Sequence, residues 1–443
     1  MAQLLGSGYN PRTLLERIVA EPEKALASDE VWLCAWCYRC SRNCPQGLEL
    51  PEILLLVRRA AAQGGLKKPF ERALHKIVKN IPLPVVAMFV CFHPERAGLS
   101  GEEVLQKIEQ MREETVRAKK REKTVKGLGK VAVIGSGPAG LTVAHELAGK
   151  GFSVTVFEAL PEAGGMLRKG IPEHRLPKQA LAREVQLIRD MGVEMKTGTI
   201  VGRDISFASL RESDYRAVFV GVGAHKSQTL KVEGVDLAGV MHALDFLWDS
   251  NCGRSVKVGE NVVVVGGGNV AVDTAETALR LGAKQAAILY RRSREEMPAN
   301  RREVKEAEEQ GVKLELLVSP KRILGRNGKV SAVECVRMRL GDPDETGRRK
   351  ALAVEGSEFQ READMVILAI GETPDLSFLP FDVDRNEDGT VWVDPTTMAT
   401  SMEGVFAGGD VVRGPASVIE AIRDGKIAAE SIEKYLDSLR GER

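Results

Sequence analysis

The sequence has no hydrophobic run long enough to cross a membrane. Its longest wholly apolar stretch, residues 81–92, is twelve residues long and contains two prolines, whereas a membrane-spanning helix needs about 20 apolar residues. The first segment, MAQLLGSGYNPR, also lacks the basic start and apolar core of a secretory signal peptide. We therefore expect a cytoplasmic protein without a membrane span.

The sequence has no excess of charge of either sign. Its 63 Lys and Arg residues balance 62 Asp and Glu residues, which gives a formal net charge of +1. This balance gives no reason to expect nucleic acid or an anionic membrane as a partner. At 443 residues the chain is too long for a single core, so we expect several domains.

Cysteine is scarce except in one short stretch. Four of the seven cysteines fall within eleven residues, as Cys34, Cys37, Cys40 and Cys44. Their spacing, CxxCxxCxxxCP, is that of bacterial-type ferredoxins, in which thiolates hold an iron–sulfur cubane. Such crowding predicts a metal site in a reducing compartment rather than a disulfide framework. A zinc knuckle is the alternative, although zinc sites usually pair two separated halves.

The fourth ligand of such a cluster is left open by the sequence. In two-cluster ferredoxins the cysteine before proline serves the other cluster, which would free Cys44 from this site. Cys91 is the only other cysteine nearby. Five thiols cannot complete two cubanes, so we predict one [4Fe-4S] cluster held by Cys34, Cys37, Cys40 and either Cys44 or Cys91. Alternatively, Cys91 is simply a buried apolar thiol.

Residues 131–140, VAVIGSGPAG, predict a strand, a tight glycine turn and a helix. Gly135 makes the turn, Gly137 lets backbone amides approach a pyrophosphate, and Gly140 allows close packing of helix on strand. Pro138 and Ala139 begin the helix. A second strand then ends at Glu158, which we expect to accept hydrogen bonds from ribose hydroxyls.

Two later segments suit the rest of an FAD. A double glycine leaves room beside a flat ring system, two arginines can reach pyrophosphate, and an apolar strand ends in a carboxylate suited to a ribityl hydroxyl. A helix then begins, and its positive N-terminus would stabilise a reduced flavin. The expected residues are Gly164, Gly165, Leu167, Arg168, Arg175, Gly409, Asp410, Ser417 and Val418.

Residues 260–273 repeat the pattern with the accepted spacing GxGxxA. Gly266, Gly268, Asn269 and Val270 are the expected nucleotide contacts. The following strand ends in Arg291 and Arg292 instead of an acid. Because an acid repels a 2′-phosphate and arginine can hold one, NADP(H) is favoured over NAD(H). The alternative is that the arginines only cap the sheet or bind a partner.

The order of these motifs predicts an inserted domain. The FAD parts lie 270 residues apart, from Gly140 to Asp410. Two apolar strands that end in glycine turns look like the crossovers between domains, and we also expect their glycines, Gly223 and Gly371, to bind the cofactors. We expect an α/β protein with two Rossmann-like dinucleotide-binding domains, preceded by a helical iron–sulfur domain. The expected bounds are 1–126 for the [4Fe-4S] domain, 127–258 and 364–443 for FAD, and 259–363 for NAD(P).

Several motifs together resemble one family. GSGPAG, GGMLRKGIPEHRLPK, VVGGGNVAVDTAETALRLGA, YRRSREEMPA and FAGGDVVRGPASVIEAI closely resemble the small subunit of NADPH-dependent glutamate synthase. They are also similar to the large subunit of NADH-dependent ferredoxin:NADP oxidoreductase and the flavin half of dihydropyrimidine dehydrogenase. This resemblance implies FAD at the first glycine turn and NADP(H) at the second. Residues 32–62 resemble heterodisulfide reductase C, an iron–sulfur protein.

The family's two-cluster relay is where this sequence departs from the pattern. Ala97 and Gly101 occupy positions where cysteine is expected. Hydride transfer from nicotinamide to flavin needs stacking and orientation, so no catalytic side chain is named. Cys252 and Cys335 lack the pairing of a dithiol centre.

From these observations we predict a flavin-dependent NAD(P)H oxidoreductase subunit that exchanges electrons with an iron–sulfur or metal-containing partner subunit. Two alternatives are a glutamate synthase small subunit and a non-catalytic electron-transfer scaffold.

Overall fold

The computed structural model describes Leu4 and residues 8–42, 44–122, 129–343 and 348–441. The expected domain boundary at residues 126 and 127 lies outside these ranges. The α-helices, in chain order, are α1 (Pro11–Ala20), α2 (Pro22–Leu26), α3 (Arg39–Arg42), α4 (Leu50–Gln63), α5 (Lys67–Asn80), α6 (Pro84–Ala87), α7 (Gly101–Glu122), α8 (Pro138–Gly149), α9 (Met166–Lys169), α10 (Lys178–Asp190), α11 (Phe207–Glu212), α12 (Ala243–Asn251), α13 (Asn269–Arg280), α14 (Arg301–Glu309), α15 (Asp410–Arg413) and α16 (Val418–Gly441).

The strands come after the N-terminal helices. In chain order they are β1 (Lys130–Ile134), β2 (Ser153–Glu158), β3 (Glu194–Thr197), β4 (Tyr215–Val220), β5 (Lys226–Ser227), β6 (Val240–His242), β7 (Asn261–Val265), β8 (Gln285–Tyr290), β9 (Lys313–Leu316), β10 (Val318–Arg326), β11 (Lys329–Pro343), β12 (Arg349–Ala353), β13 (Phe359–Glu362), β14 (Met365–Leu368), β15 (Glu372–Thr373) and β16 (Val405–Ala407).

The chain divides into two compact units. The first contains residues 1–167, 174–224 and 374–443, and the second contains residues 168–173 and 225–373. The second unit is thus inserted within the chain of the first. The second unit is larger than the expected segment 259–363, and the N-terminal helices fall into the first unit rather than forming one of their own.

The first unit is built on a five-stranded parallel sheet with strand order β16-β4-β1-β2-β3. Its central strands are continuous apolar runs, as expected for a sheet covered on both faces. Helices α8 and α16 cross closely, because Gly425 of α16 has no side chain where a Cβ would lie 2.6 Å from the Ala139 carbonyl oxygen. This crossing brings α16 against the first glycine turn.

The N-terminal helices of the first unit are attached to its α/β part by buried polar contacts. The Glu184 carboxylate of α10 accepts hydrogen bonds from the Val85 and Val86 amides, at 2.9 and 3.2 Å, at the start of α6. Lys426 of α16 donates to the Asn80 carbonyl oxygen at 2.8 Å. Burial raises the pKa of Glu184 to about 7. The helix that leads to Cys91 is thus fixed to the first unit's α/β core.

The second unit also has a five-stranded parallel sheet, with strand order β6-β14-β7-β8-β9. An antiparallel sheet of β10, β11, β12 and β13 extends from it. Strand β6 explains the larger unit: only three residues long, it pairs with β14 from residue 240, before the expected start of the domain. Together the two parallel sheets confirm the α/β class.

No helix within the described ranges is long and apolar enough to span a membrane.

Candidate dinucleotide and cysteine sites

The first glycine turn joins β1 to α8 and has the geometry that the sequence predicts. Gly135 has a φ of 97°, and its amide donates to the Phe157 carbonyl oxygen at 2.8 Å. A Cβ at Gly140 would overlap the Gly135 carbonyl oxygen. At Gly137 the nearest protein atom to a Cβ would be 4.0 Å away. The outer glycines are thus required by packing, whereas Gly137 faces open space.

Helix α8 begins beside this space. Gly137 is its N-cap residue, Pro138 occupies the first turn, and no side chain caps the helix. The N-terminus of a helix carries a partial positive charge and amides that can bind an anion. The turn therefore offers a site for a pyrophosphate.

Glu158, at the end of β2, braces the same turn. Its carboxylate accepts the Ser136 amide at 2.8 Å and the Leu160 amide at 2.7 Å, and the Ser136 hydroxyl also donates to it. Glu158 is only 5% exposed. Sequence reasoning expected this carboxylate to accept from ribose hydroxyls. The observed contacts give it a role in holding the turn, which the sequence analysis missed.

The double glycine predicted to lie beside a flat ring system packs on the first turn. The Gly164 amide donates to the Ser136 hydroxyl at 2.9 Å, and a Cβ at Gly165 would lie 2.9 Å from Gly137 Cα. Leu167 follows and is fully buried. The structure thus brings this segment to the turn. Arg175 is half-buried in the same unit, whereas Arg168 belongs to the second unit.

The C-terminal segment predicted to bind FAD also reaches the start of α8. A Cβ at Gly409 would lie 3.2 Å from Ala139 Cβ. Next to it, Asp410 accepts the Ala416 amide at 3.2 Å, and burial raises the pKa of Asp410 to about 6. Ser417 exchanges hydrogen bonds with Glu420 and so caps α16 just before Val418.

Asp424 supports this segment and was not identified from the sequence. It is fully buried, accepts the Gly409 amide at 3.2 Å, and receives both Nε and Nη2 of Arg413 at 2.6 and 2.7 Å. A buried carboxylate needs this pairing, because an isolated buried charge is costly. A signal was available in the sequence: an aspartate among the apolar positions of α16.

The second glycine turn, between β7 and α13, repeats the first. The Gly266 amide donates to the Leu289 carbonyl oxygen at 3.1 Å, and Gly266 has a φ of 151°. A Cβ at Gly268 would meet nothing within 4 Å, and α13 likewise has no side-chain cap. The Asn269 side chain accepts the Asn300 amide at 2.8 Å, which fixes a later loop to the helix start just before Val270.

The arginines after β8 differ in their surroundings. Arg291 is exposed. Arg292 donates from Nε to the Arg349 carbonyl oxygen at 2.7 Å, and Arg294 forms a two-point ion pair with Glu308 at 2.6 and 2.8 Å. Arg294 is thus committed to a carboxylate, whereas the side chain of Arg291 is exposed to solvent.

The segments predicted as crossovers meet in the second unit. After Gly223, which has a φ of 69°, the chain forms β5, and after Gly371, with a φ of 120°, it forms β15. These two short strands pair in antiparallel fashion, and Gln228 donates its amide to the Gly371 carbonyl oxygen at 2.9 Å. The two chain connections therefore run side by side.

The cysteine loop lies in the first unit and is partly buried. Cys34 is 6% exposed, Cys91 is buried, and Cys37, Cys40 and Cys44 are half-buried. Burial raises the pKa of Cys34 to about 11, although the positive charge of Arg58 acts to lower it. Within the described residues no three His, Cys, Asp or Glu side chains are arranged as a metal site.

The backbone around the cysteines is unusual. Trp36 and Tyr38 have φ values of 48° and 53°, and His93, two residues after Cys91, has 47°. Non-glycine residues rarely adopt this conformation except where the surrounding structure requires it, as at functional sites. The Trp36 and His93 rings are in edge contact, with centroids 5.9 Å apart. The loop and the Cys91 segment therefore touch.

A buried cation lies beneath both segments. Arg58 is 1% exposed and donates to backbone carbonyl oxygens of the cysteine loop and of the Cys91 segment. Thiolate donors and a buried positive charge without a described carboxylate partner fit an anionic cluster. The donor set and the charge thus fit a [4Fe-4S] cluster, although the thiols are not gathered at one point.

Comparison with known proteins agrees with the α/β fold. A family model described as pyridine nucleotide-disulphide oxidoreductase matches residues 129–425. The structure of FprA from Mycobacterium tuberculosis in complex with NADPH has a TM-score of 0.59 at 20% identity, covering 71% of this chain and 86% of that one. At this identity the likeness shows the fold, and it confirms the two Rossmann-like domains.

Three curated relatives are similar over much of the chain. The beta subunit of NADP(+)-dependent formate dehydrogenase of Moorella thermoacetica is 48% identical over 69% of this chain and 44% of its own length. The beta subunit of NADPH-Fe(3+) oxidoreductase of Geobacter sulfurreducens is 38% identical over 90% and 63%. The glutamate synthase [NADPH] small chain of Azospirillum brasilense is 43% identical over 69% and 66%. The chain spans about half to two thirds of the length of these relatives.

Proposed function

Because the chain belongs to the pyridine nucleotide-disulphide oxidoreductase family, we propose that it binds FAD at the first glycine turn and NADP(H) at the second, and exchanges electrons with a partner subunit through a [4Fe-4S] cluster. The family membership makes the chain an oxidoreductase. The observation that carries the rest is the pair of open glycine positions, Gly137 and Gly268, each at an uncapped helix start.

The residues of the first unit would bind and orient the flavin. The α8 N-terminus would hold the pyrophosphate, Gly165 would leave space beside the ring system, and Asp410 would accept a hydrogen bond from a ribityl hydroxyl. The raised pKa of Asp410, about 6, still leaves this carboxylate ionised at pH 7. A bound FAD would supply two-electron hydride chemistry with NADPH and one-electron chemistry with a partner.

The second unit would select the nicotinamide nucleotide. Gly268 leaves room for the pyrophosphate at the start of α13, and the exposed Arg291 can bind a 2′-phosphate through charge-assisted hydrogen bonds. We therefore propose NADP(H) in preference to NAD(H). The names of the formate dehydrogenase, Fe(3+) oxidoreductase and glutamate synthase relatives support this choice.

The cysteine loop would carry electrons to the partner. It shares one compact unit with the first glycine turn, and Cys37, Cys40 and Cys44 are half-buried rather than enclosed, so a cluster there is accessible from outside. We propose a partner subunit that holds its own iron–sulfur or metal centre. The named relatives are beta subunits or small chains, which supports a larger assembly.

A glutamate synthase small subunit is the second candidate, and the 43% identity to the Azospirillum chain favours it. Measurement of iron, acid-labile sulfide, zinc and FAD on anaerobically purified protein, together with dye reduction by NADPH and NADH, separates the cases. We expect about four irons and one FAD with a preference for NADPH. About eight irons would favour the glutamate synthase relay, and zinc without sulfide would contradict the cluster.

A further inference from the structure

Arg58 is a buried cation on a helix whose neighbouring face is apolar. It lies on α4 at helical spacing from Leu50 and Leu54, which are both buried, and it is only 1% exposed itself. Arginine is almost never fully buried unless its charge is paired. The position therefore requires an explanation beyond helix packing.

The Arg58 guanidinium joins three backbone segments. Its Nε donates to the Val31 carbonyl oxygen at 2.8 Å, its Nη2 to the Cys34 carbonyl oxygen at 2.8 Å, and its Nη1 to the Phe92 carbonyl oxygen at 3.0 Å. Cys34 opens the cysteine motif, and Phe92 directly follows Cys91. One side chain thus holds the two cysteine-bearing segments in register.

The positive charge of Arg58 has no carboxylate partner within the described residues. All three of its hydrogen bonds end on neutral carbonyl groups. An unpaired buried charge is costly. An anion at the thiols would remove this cost.

We propose that Arg58 is a positioning residue that holds the Cys34 and Cys91 segments together and supplies the fixed positive charge beside the [4Fe-4S] cluster, so that the cluster is reduced more readily. This inference rests on the proposed function. Four thiolates give such a cluster a net negative charge, which grows by one when it accepts one electron, and no proton or bond to Arg58 changes. A nearby cation therefore favours the reduced form.

The test is a potentiometric titration of the full chain, followed by electron paramagnetic resonance, with iron and FAD measured on each sample. Arg58→Gln keeps hydrogen-bonding groups and removes the charge. Arg58→Lys keeps the charge but loses the planar guanidinium, with its several donors in fixed directions. Arg59→Gln is the matched control, because Arg59 is half-buried on the same helix and also donates to a carbonyl oxygen, that of Arg96, at 2.9 Å.

We expect Arg58→Gln to lower the equilibrium constant for cluster reduction at least tenfold, which for one electron is about 59 mV. Arg58→Lys and Arg59→Gln should stay within about threefold of the wild type, since neither removes the buried charge. If Arg58→Gln fails to assemble the cluster while Arg58→Lys holds it at the wild-type potential, the assignment of the charge is also supported.

Three results would overturn the inference. An unchanged potential in Arg58→Gln, an equal shift in Arg58→Lys, or loss of iron from both variants with FAD retained would leave Arg58 without an electrostatic role. Failure of the proposed function is distinguishable from these, because the wild-type protein itself would then contain FAD but no iron or acid-labile sulfide.

Discussion

The two glycine turns share a backbone hydrogen bond and an open middle position, but they have opposite chemistry at the end of the following strand. In both, the first glycine amide bonds to the second strand, at Phe157 or Leu289, and the middle glycine faces open space. After β2, however, a buried carboxylate, Glu158, braces the turn, whereas β8 is followed by the exposed Arg291. Under the proposed function, the turn sets the position of the pyrophosphate and the strand end distinguishes the two nucleotides.

The third position of the turns gives the sharpest contrast, and the largest effect is expected there. The second turn has Ala271, but a Cβ at Gly140 would overlap the Gly135 carbonyl oxygen. Gly140→Ala should therefore destabilise the protein by about 2 kcal/mol or more and abolish FAD binding. The FAD to protein ratio and the thermal unfolding midpoint measure this. A variant with normal FAD content would contradict the packing argument, and Ala271→Gly is the mild control.

The carboxylate of Glu158 holds the first turn, and no carboxylate holds the second turn in this way among the described contacts. Glu158→Gln leaves one acceptor for three donors, so one or more buried groups on Ser136 or Leu160 lose their partner. We expect a loss of stability of about 1–3 kcal/mol and weaker FAD binding. Chemical denaturation and fluorescence titration of FAD provide the measurement. If both are unchanged, Glu158 does not hold the turn.

The open middle glycine of the second turn should tolerate a methyl group without loss of stability. A Cβ at Gly268 would meet no protein atom within 4 Å, but it would occupy the proposed pyrophosphate space. Gly268→Ala should raise the KM for NADPH about tenfold, or about 1.4 kcal/mol, with an unchanged unfolding midpoint. Steady-state dye reduction tests this. An unchanged KM would contradict the proposal that the pyrophosphate binds at this position.

The residue that follows β8 should control the selectivity for NADPH over NADH without affecting FAD binding or stability. Arg291→Ala removes an exposed cation, and we expect the ratio of kcat/KM for NADPH to that for NADH to fall about tenfold, with FAD content and stability unchanged. Arg294→Ala is the control, because Arg294 is already paired with Glu308. Equal losses in the two variants would favour the alternative that these arginines only support the sheet.

The sequence predicted what depends on local spacing. The two strand, turn and helix units were evident from three glycines in the first and two glycines and an alanine in the second. Contacts between distant residues were missed. Asp424 bonds to Gly409, 15 residues away, and Asn300 bonds to Asn269, 31 residues away. Strand β6 is too short to give a recognisable strand pattern in the sequence. Arg58 had a signal, since a charge lies on the apolar stripe of α4.

The hydrogen bonds of Glu184 have a consequence for how such chains can be divided. The carboxylate accepts two amides at the start of α6, in the N-terminal region, so a shortened chain beginning at Lys130 would lose both donors and expose a carboxylate surrounded by apolar surface. The N-terminal helices are therefore not an interchangeable module. Grafting these helices, with their cysteines, onto another flavoprotein would require a carboxylate on the recipient's surface that accepts the two amides of α6.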